Sequence, residues 1–181
     1  MNMEKVVLFA RAVRNEIASL YHFRRFSRTV VKAVVIRRLT ADDLDRLFKP
    51  AERVIGERWL AQQERGELYV AVAEVNGALV GRGCLNFTSH PLGPGYCFAA
   101  YVRRELRSQG IGARIDKHRE SVARARGLCA LRCAVDKKNT RSISWHERCG
   151  YKRIGESVVR WTTADGGEVE DDCWMFERSI D

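Results

Sequence analysis

The segment Tyr96-Cys97-Phe98-Ala99-Ala100-Tyr101-Val102 is followed, four residues later, by Arg107-Ser108-Gln109-Gly110-Ile111-Gly112. The first segment has the pattern of a central strand, and the second opens a segment with apolar residues at helical spacing. Glycines at the start of a helix let backbone N–H groups approach a ligand closely, where free donors already favour negative charge. This glycine loop (Arg107–Gly112) therefore predicts an anion site, with a pyrophosphate as its natural ligand.

The chain has 181 residues, which is enough for one ordinary globular domain and a short appendage. Its apolar run Val6-Val7-Leu8-Phe9 is too short for a secretory signal, and no run approaches the roughly 18 residues of a transmembrane helix. We therefore expect a cytoplasmic protein. The cysteines lack the spacing of a zinc site or a disulfide framework, so we expect no metal and mostly buried thiols. They are Cys84, Cys97, Cys129, Cys133, Cys149 and Cys173.

Basic charge is concentrated at the N-terminus. Residues 1–33 hold seven Lys or Arg against two Glu, a net +5 that leaves +4 of the total +9 for residues 34–181. Apolar residues at spacings of three or four make residues 1–33 either an amphipathic helix or a disordered basic extension. A basic excess attracts anions but gives no specificity, and this tail lacks the interleaved aromatic residues of a nucleic-acid binder.

The remaining pattern predicts seven strands, four helices and no internal repeats. Asn76-Gly77 between two apolar runs is a strong hairpin signal. Strands that cluster early and late around a helical crossover predict an α/β (α+β) domain with a mixed sheet. The predicted strands are Val34–Arg38, Leu68–Val75, Ala78–Phe87, Tyr96–Val102, Leu128–Val135, Val158–Thr163 and Cys173–Glu177. The predicted helices are Thr40–Leu47, Arg53–Glu64, one from Ile111 to Gly127 with apolar stripe Ile111, Ile115, Val122 and Ala125, and Asn139–Cys149.

Two familiar phosphate-binding motifs are excluded. A dinucleotide fingerprint requires a third glycine three residues after Gly112, where this chain has Ile115. A P-loop requires Gly-Lys followed by Ser or Thr, which the chain does not contain.

Two blocks carry a resemblance to a known family. Arg107-x-x-Gly110-x-Gly112 after a strand resembles the acetyl-CoA motif (Gln or Arg)-x-x-Gly-x-(Gly or Ala) of the GNAT superfamily of N-acetyltransferases. The segment Asn139–Tyr151 is similar to the later block of that family, in which Asn starts a short helix and an aromatic residue follows Gly. The segment Ser142–Glu147 has a weaker similarity to phosphinothricin-type acetyltransferases. The resemblance covers residues 34–181.

The resemblance implies a single-domain GNAT-like fold, with a mixed sheet of six to seven strands that is splayed at strands 4 and 5 and flanked by helices. The pantetheine arm of acetyl-CoA would lie beside the fourth strand, where separated strands leave backbone groups for it. The pyrophosphate would bind the N–H groups of the glycine loop. The implied acetyl-CoA residues are Tyr101, Val102, Arg103, Arg107, Ser108, Gln109, Gly110, Ile111, Gly112, Ala113 and Asn139.

The implied reaction is direct attack of a substrate amine on the thioester, through a tetrahedral intermediate and without an acyl-enzyme. A backbone N–H near Val102 would stabilise the oxyanion. The family pattern usually has a Tyr that protonates the leaving thiolate, and this chain has His146 there. Imidazole can donate a proton when charged or accept one when neutral, so the direction of transfer stays open. A packed histidine on the inner face of its helix is the competing interpretation.

The general base for the amine is not identified by the sequence. Glu74 and Asp136 are candidates, although a solvated or salt-bridged carboxylate is the commoner case for each. His118 lies on the apolar stripe of its helix and is expected to be a packed histidine. Asn139 is suited to contact the pantetheine, to cap its helix, or to do both.

The acceptor is expected to be a small-molecule or amino-acid-like primary amine, with a protein N-terminus or lysine as the alternative. A catalytically idle acyl-CoA-binding sensor is the alternative from another class, and a homodimer is compatible with the sequence. The acceptor side would be formed by Thr40–Glu64 and Trp161–Trp174, which show no recognisable motif. Aromatic residues at strand positions are usually core. Five aromatic residues are nevertheless candidates to line an acceptor pocket: Trp59, Tyr69, Phe87, Trp161 and Trp174.

Overall fold

The computed structural model describes residues 33–88, 93–162 and 167–181. The predicted N-terminal amphipathic helix and the side chain of Trp161 lie outside the described residues. The strands are β1 (Val35–Arg38), β2 (Leu68–Val75), β3 (Ala78–Asn86), β4 (Tyr96–Val102), β5 (Ala130–Asp136), β6 (Lys152–Thr162) and β7 (Glu168–Ser179). The α-helices are α1 (Leu44–Leu47), α2 (Arg53–Glu64), α3 (Ile111–Ala125) and α4 (Thr140–Arg148).

One mixed sheet of seven strands, in the order β1-β2-β3-β4-β5-β7-β6, organises the described residues. Every neighbouring pair is antiparallel except β4 and β5, which are parallel. The predicted mixed sheet is confirmed. The strands β6 and β7 are longer than predicted, because Lys152 to Thr162 pairs with Glu177 to Glu168 through polar residues that an apolar run does not reveal.

The sheet is splayed between β4 and β5, as the family resemblance implied. These strands share a single register pair, Tyr96 with Arg132. Gly95 lies at this closed end, with φ of 88° and a carbonyl that accepts a hydrogen bond from the Arg132 N–H at 3.0 Å. A Cβ on Gly95 would lie 2.4 Å from the Ala130 carbonyl oxygen, so only glycine permits this approach. Beyond this point the strands separate and leave the β4–β5 gap.

Helices cover both faces of the sheet. Val70 and Val72 of β2 pack with the α1 and α2 side, whereas the intervening Ala71 and Ala73 pack with Ile111 and Ile115 of α3. This alternation is the period-2 pattern of a strand that is buried on both faces. The glycine loop lies on the second of these faces, because its Ile111 packs with Ala71 and Ala73. No helix among the described residues is long and apolar enough to span a membrane.

The first predicted helix is interrupted. Residues Ala41–Asp43 form a 3₁₀ turn before the four-residue helix α1. The side chain of Thr40 and that of Asp43 form a capping box, and Arg37 donates to Asp43 at 2.6 Å. These contacts hold the tighter turn in place.

The inner face of α3 differs from its predicted apolar stripe. Ala125 is exposed and Ala123 is buried instead. Asp116 and Arg119, each 2% exposed, also lie on that face and form an ion pair at 2.8 Å. A buried charge is tolerated when it is paired and hydrogen-bonded. Of the cysteines, Cys84, Cys97, Cys133 and Cys173 are buried, Cys149 is half-buried and Cys129 is exposed.

Candidate functional site

The glycine loop forms the start of α3. Gly110 is its N-cap, with φ of 81°, and the Arg114 N–H donates to the Gly110 carbonyl at 3.0 Å. The N–H groups of Ile111, Gly112 and Ala113 precede that hydrogen bond, so the helix provides no acceptor for them. Ser108, with φ of 64°, turns the preceding backbone. Successive N–H groups at the positive end of a helix form an anion site.

The two glycines of the loop differ in what they require. Gly110 adopts a positive φ, which most side chains strongly disfavour. Gly112 has no such angle, and a Cβ there would meet the Trp145 ring at an ordinary contact distance of 3.7 Å. The conformational requirement for glycine therefore rests on Gly110.

Two arginines add positive charge near the loop. The Arg107 Nε donates to the Val102 carbonyl at 2.9 Å, and its guanidinium lies 5.9 Å from the Tyr101 ring centroid. Arg141 of α4 donates to the Ser108 hydroxyl at 3.2 Å. The sequence interpretation missed Arg141, although its place two residues after Asn139 put it at the start of the second block.

Successive residues of β4 direct their backbone N–H and C=O groups alternately toward β3 and toward the β4–β5 gap. The Arg103 N–H donates to the Val80 carbonyl at 2.9 Å, so the backbone of Arg103, and by alternation that of Tyr101, faces β3. The intervening Val102 faces the gap. Of Tyr101, Val102 and Arg103, the residues predicted to lie beside the pantetheine, only Val102 presents its backbone there.

A β-bulge interrupts β4 before Tyr101. Tyr101 pairs with Arg82 and Phe98 pairs with Cys84, so two β4 residues lie opposite the single residue Gly83. One of them, Ala99, has a positive φ of 50°. A bulge leaves ladder groups unpaired, and a strained non-glycine residue is characteristic of functional sites.

Asn139 is the N-cap of α4. Its side-chain oxygen accepts a hydrogen bond from the Ser142 N–H at 3.1 Å. The capping alternative from the sequence is therefore observed. The cap fixes the start of the helix that carries Arg141 and His146.

His146 lies on the inner face of α4 and is 9% exposed. Its Nδ1 is 2.8 Å from the Ser142 carbonyl oxygen. A carbonyl only accepts, so Nδ1 carries a hydrogen and the neutral ring has its lone pair on Nε2. Burial lowers the pKa of His146, while the hydrogen bond to Ser142 and the charge of Asp116 oppose that change. The neutral imidazole is favoured, which suits a proton acceptor better than a donor.

Aromatic rings and a buried ionic network support His146. Its ring packs edge-on against Tyr151 at 5.3 Å and stacks on Phe176 at 5.8 Å. The Tyr151 hydroxyl donates to Asp116 at 2.9 Å, and Asp116 also pairs with Arg178 at 2.9 Å. These contacts agree with the packed-histidine interpretation, and they also fix the orientation of the imidazole ring.

The candidate bases Glu74 and Asp136, and also His118, which was expected to be a packed histidine, are engaged elsewhere. Arg37 pairs with Glu74 at 2.6 Å at the β1–β2 edge. Asp136 accepts from the Lys138 N–H at 2.8 Å, as in a local turn. His118 Nε2 lies 2.7 Å from the Tyr69 hydroxyl, and burial lowers its pKa. These contacts are structural.

Apart from the β4–β5 gap, a concavity that we call the Arg82 cleft opens on the α1–α2 side of the sheet. The Arg82 guanidinium lies 5.5, 5.4 and 5.8 Å from the ring centroids of Phe48, Trp59 and Tyr101. Trp59 also packs edge-on against Phe98 at 6.0 Å. The cleft is lined by Arg46, Leu47, Leu79, Val80, Gly81, Arg82, Tyr101 and Arg103.

The other predicted aromatic residues lie away from this cleft. Phe87 stacks under Arg126 at 4.5 Å, and Trp174 lies under Arg153 at 4.2 Å. Within the described ranges, no group of three or more His, Cys, Asp or Glu residues is arranged to hold a metal ion.

Comparison with known proteins identifies the family. A model described as the acetyltransferase (GNAT) family matches residues 35–151, more than half of the chain. The L-methionine sulfoximine/L-methionine sulfone acetyltransferase of Pseudomonas aeruginosa PAO1 is 30% identical over 69 residues, 35% of this chain. The homologous enzyme of Pseudomonas paraeruginosa PA7 gives the same values. The match spans 40% of the length of these relatives.

Solved structures share the fold. An N-acetyltransferase from Staphylococcus aureus Mu50 aligns with a TM-score of 0.63 at 20% identity, over 82% of this chain and 99% of its own. A putative acetyltransferase from Salmonella typhimurium, solved with its cofactor acetyl-CoA, aligns with a TM-score of 0.61 at 18% identity. That alignment covers 82% of this chain and 95% of the other.

Proposed function

This chain belongs to the acetyltransferase (GNAT) family, and we propose that it transfers the acetyl group of acetyl-CoA to a small, amino-acid-like primary amine. The observation that carries the proposal is the continuity of two sites. The β4–β5 gap leads directly into the glycine loop, so an extended amide-rich arm and a pyrophosphate have adjacent positions.

The residues present fit acetyl-CoA. Val102 offers its backbone N–H to the pantetheine arm at the gap, as an added strand would, while its carbonyl already accepts from Arg107. The N–H groups of Ile111, Gly112 and Ala113 suit the pyrophosphate, with Arg107 and Arg141 nearby. Gln109 and Asn139 help to shape this surface, through a hydrogen bond from Gln109 to the Glu105 carbonyl and the α4 cap.

In the proposed reaction the neutral amine attacks the thioester carbonyl, a C–N bond forms, and the C–S bond breaks. The amine loses a proton and the CoA thiolate gains one, which leaves an N-acetyl product and free CoA. Holding both reactants in one site supplies a large share of such a rate enhancement, roughly 7–11 kcal/mol in favourable cases. No acyl-enzyme is required, and burial raises the pKa of the Cys97 thiol, which disfavours a thiolate nucleophile.

His146 is proposed as the proton-transfer residue. The tautomer set by the Ser142 carbonyl leaves Nε2 as an acceptor, so the neutral ring would take the proton of the amine. This assignment gives a direction to the transfer that the sequence left open.

An amino-acid-like acceptor is supported by the relatives, which are described as acetylating L-methionine sulfoximine and L-methionine sulfone.

The test is a thiol-release assay of the full chain with acetyl-CoA and a panel of amines, followed by mass spectrometry of the product. The panel contains L-methionine sulfone, L-methionine sulfoximine, a polyamine, an aminoglycoside and peptides with a free N-terminus or a lysine. We expect release with the amino-acid-like compounds above the amine-free control. Binding of acetyl-CoA without release for any amine would contradict acetyl transfer, and release with peptides alone would contradict a small acceptor.

A further inference from the structure

The Arg82 guanidinium is held in an unusual way. Three aromatic rings surround it, and its Nε is buried without a hydrogen-bond partner. No side chain or backbone oxygen among the described residues forms a hydrogen bond or an ion pair with this guanidinium. Arginine has five N–H donors in a planar fork, so an arginine fixed by rings alone keeps its donors for another group.

The electrostatics of Arg82 agree with this geometry. Burial lowers its pKa, as expected for a cation that has lost water, while Cys84, Glu52 and Tyr101 act in the opposite direction. Glu52 is buried but does not form an ion pair with Arg82. Arg46 and Arg103 also line the cleft, and none of its lining residues is acidic. Arg46 pairs with Asp43 at 3.3 Å.

The position of Arg82 suits acceptor recognition. Arg82 is the register partner of Tyr101 on β4, and the β4–β5 gap lies on the other edge of β4. Neighbouring strands are about 4.8 Å apart, so Arg82 lies on the order of two strand spacings from the gap. The Tyr101 side chain shares the α1–α2 face with Arg82, whereas Val102 packs on the α3 face. A ligand in the Arg82 cleft would therefore approach the thioester from the side opposite to the α3–α4 face.

We propose that Arg82 binds the carboxylate of the acceptor, so that the substrates are amines that carry a carboxylate close to the amino group, as α-amino acids do. The carboxylate would accept a forked pair of hydrogen bonds from the guanidinium, which the rings of Phe48, Trp59 and Tyr101 hold in place. The amino group would then project toward the gap. This inference rests on the proposed acetyl transfer for its biological meaning, although the carboxylate site is measurable without turnover.

The experiment measures binding by calorimetry to the full chain saturated with CoA, which prevents reaction. The probes are a panel of L-α-amino acids that includes L-methionine sulfone, each compared with the amine that lacks its carboxylate. For L-methionine sulfone that partner is 3-(methylsulfonyl)propan-1-amine. We expect at least one amino acid to bind roughly 10- to 100-fold more tightly than its partner, the range for a charged hydrogen-bonded pair.

Arg82→Met should remove this preference, and Arg82→Lys should restore part of it by returning the charge without the fork. The matched control is Arg126→Met, because Arg126 also stacks on an aromatic ring, Phe87, but lies outside the cleft. Unchanged CoA binding by each variant shows that it is folded.

Equal binding of amino acids and their partners by the wild type, or no binding of any amino acid, would overturn the carboxylate site. A preference that survives in Arg82→Met would overturn the role of Arg82. Acetyl transfer is tested separately. If the preference for a carboxylate is retained but no amine releases thiol from acetyl-CoA, acetyl transfer is rejected while the carboxylate site at Arg82 is supported.

Discussion

The two proposed ligand sites lie on opposite faces of the sheet and are built from different parts of the chain. On the α3–α4 face, the proposed pyrophosphate site of the glycine loop consists of backbone N–H groups from consecutive residues, Ile111 to Ala113, at the start of one helix. On the α1–α2 face, the Arg82 cleft uses side chains from separate elements, among them Phe48 after α1, Trp59 of α2 and Tyr101 of β4.

This difference has a physical reason. A pyrophosphate is the same in every acetyl-CoA, and a backbone site requires only a fixed turn and a helix start, which Gly110 specifies here. An acceptor varies from enzyme to enzyme, and its shape must be matched by side chains on elements that are distant in sequence. The comparison predicts that mutations on one face change the binding of one ligand and leave the other almost unaffected.

The largest effect is expected at His146, which would act on the reaction rather than on either ligand. His146→Ala should lower kcat by roughly 10²- to 10⁴-fold, the usual contribution of a general acid or base, with little change in either KM. Steady-state thiol release with both substrates varied measures this. His118→Ala is the control, because His118 is a partly buried histidine bonded to Tyr69. An unchanged kcat in His146→Ala would leave only the packed-histidine role.

A smaller effect is expected at Arg141. Its guanidinium contacts Ser108 of the glycine loop, so Arg141→Gln removes a positive charge near the pyrophosphate position. We expect acetyl-CoA affinity to fall roughly 3- to 10-fold, less so at high salt, as for an exposed charge. Calorimetry at two salt concentrations tests this, with Arg160→Gln as the control, since Arg160 pairs with Glu170 on the β6–β7 hairpin. A weaker amine interaction with unchanged acetyl-CoA affinity would contradict the division between faces.

The smallest effect concerns stability and pH. The pKa of His146 is lowered in the folded protein by burial, so the unfolded chain binds the proton more readily. The unfolded state is therefore favoured as pH falls below the unfolded value of about 6.5 and through the lower folded value. Chemical denaturation of wild type and His146→Phe between pH 7.5 and pH 5 should show a steeper loss of the free energy of unfolding in wild type. Because the pKa of His118 is also lowered, the difference between the two proteins is the quantity to compare. Parallel curves would exclude a buried, neutral His146.

The sequence predicted the helices, the strands and the glycine loop, because each of these is specified by residues that are close together in the chain. The spacing that predicts α2 and the turn residues Asn76-Gly77 specify structure within a few residues, and Gly110 specifies a positive φ at one position. The length of β6 was underestimated, because this edge strand is polar and gains its order from pairing with β7.

The parts that sequence missed depend on distant contacts. Asp116 and Arg119 interrupt the expected apolar stripe of α3. Groups distant in sequence explain how these charges are buried, because Tyr151 and Arg178 bind Asp116 and the Cys84 carbonyl accepts from Arg119. Arg82 has no local signal either, since a lone Arg in a strand usually reaches solvent.

The central claim is that the glycine loop, turned by Gly110, binds acetyl-CoA through the backbone N–H groups of Ile111 to Ala113. One calorimetric comparison tests it most directly. The Asp carboxylate in Gly110→Asp would accept hydrogen bonds from the first N–H groups of α3 and take the place of the pyrophosphate. Gly112→Ala is the matched control, because a Cβ there makes only an ordinary contact with Trp145. We predict that acetyl-CoA affinity falls roughly 100-fold in Gly110→Asp, or about 2.7 kcal/mol, and stays within about threefold of wild type in Gly112→Ala. Wild-type affinity in a folded Gly110→Asp would contradict the claim.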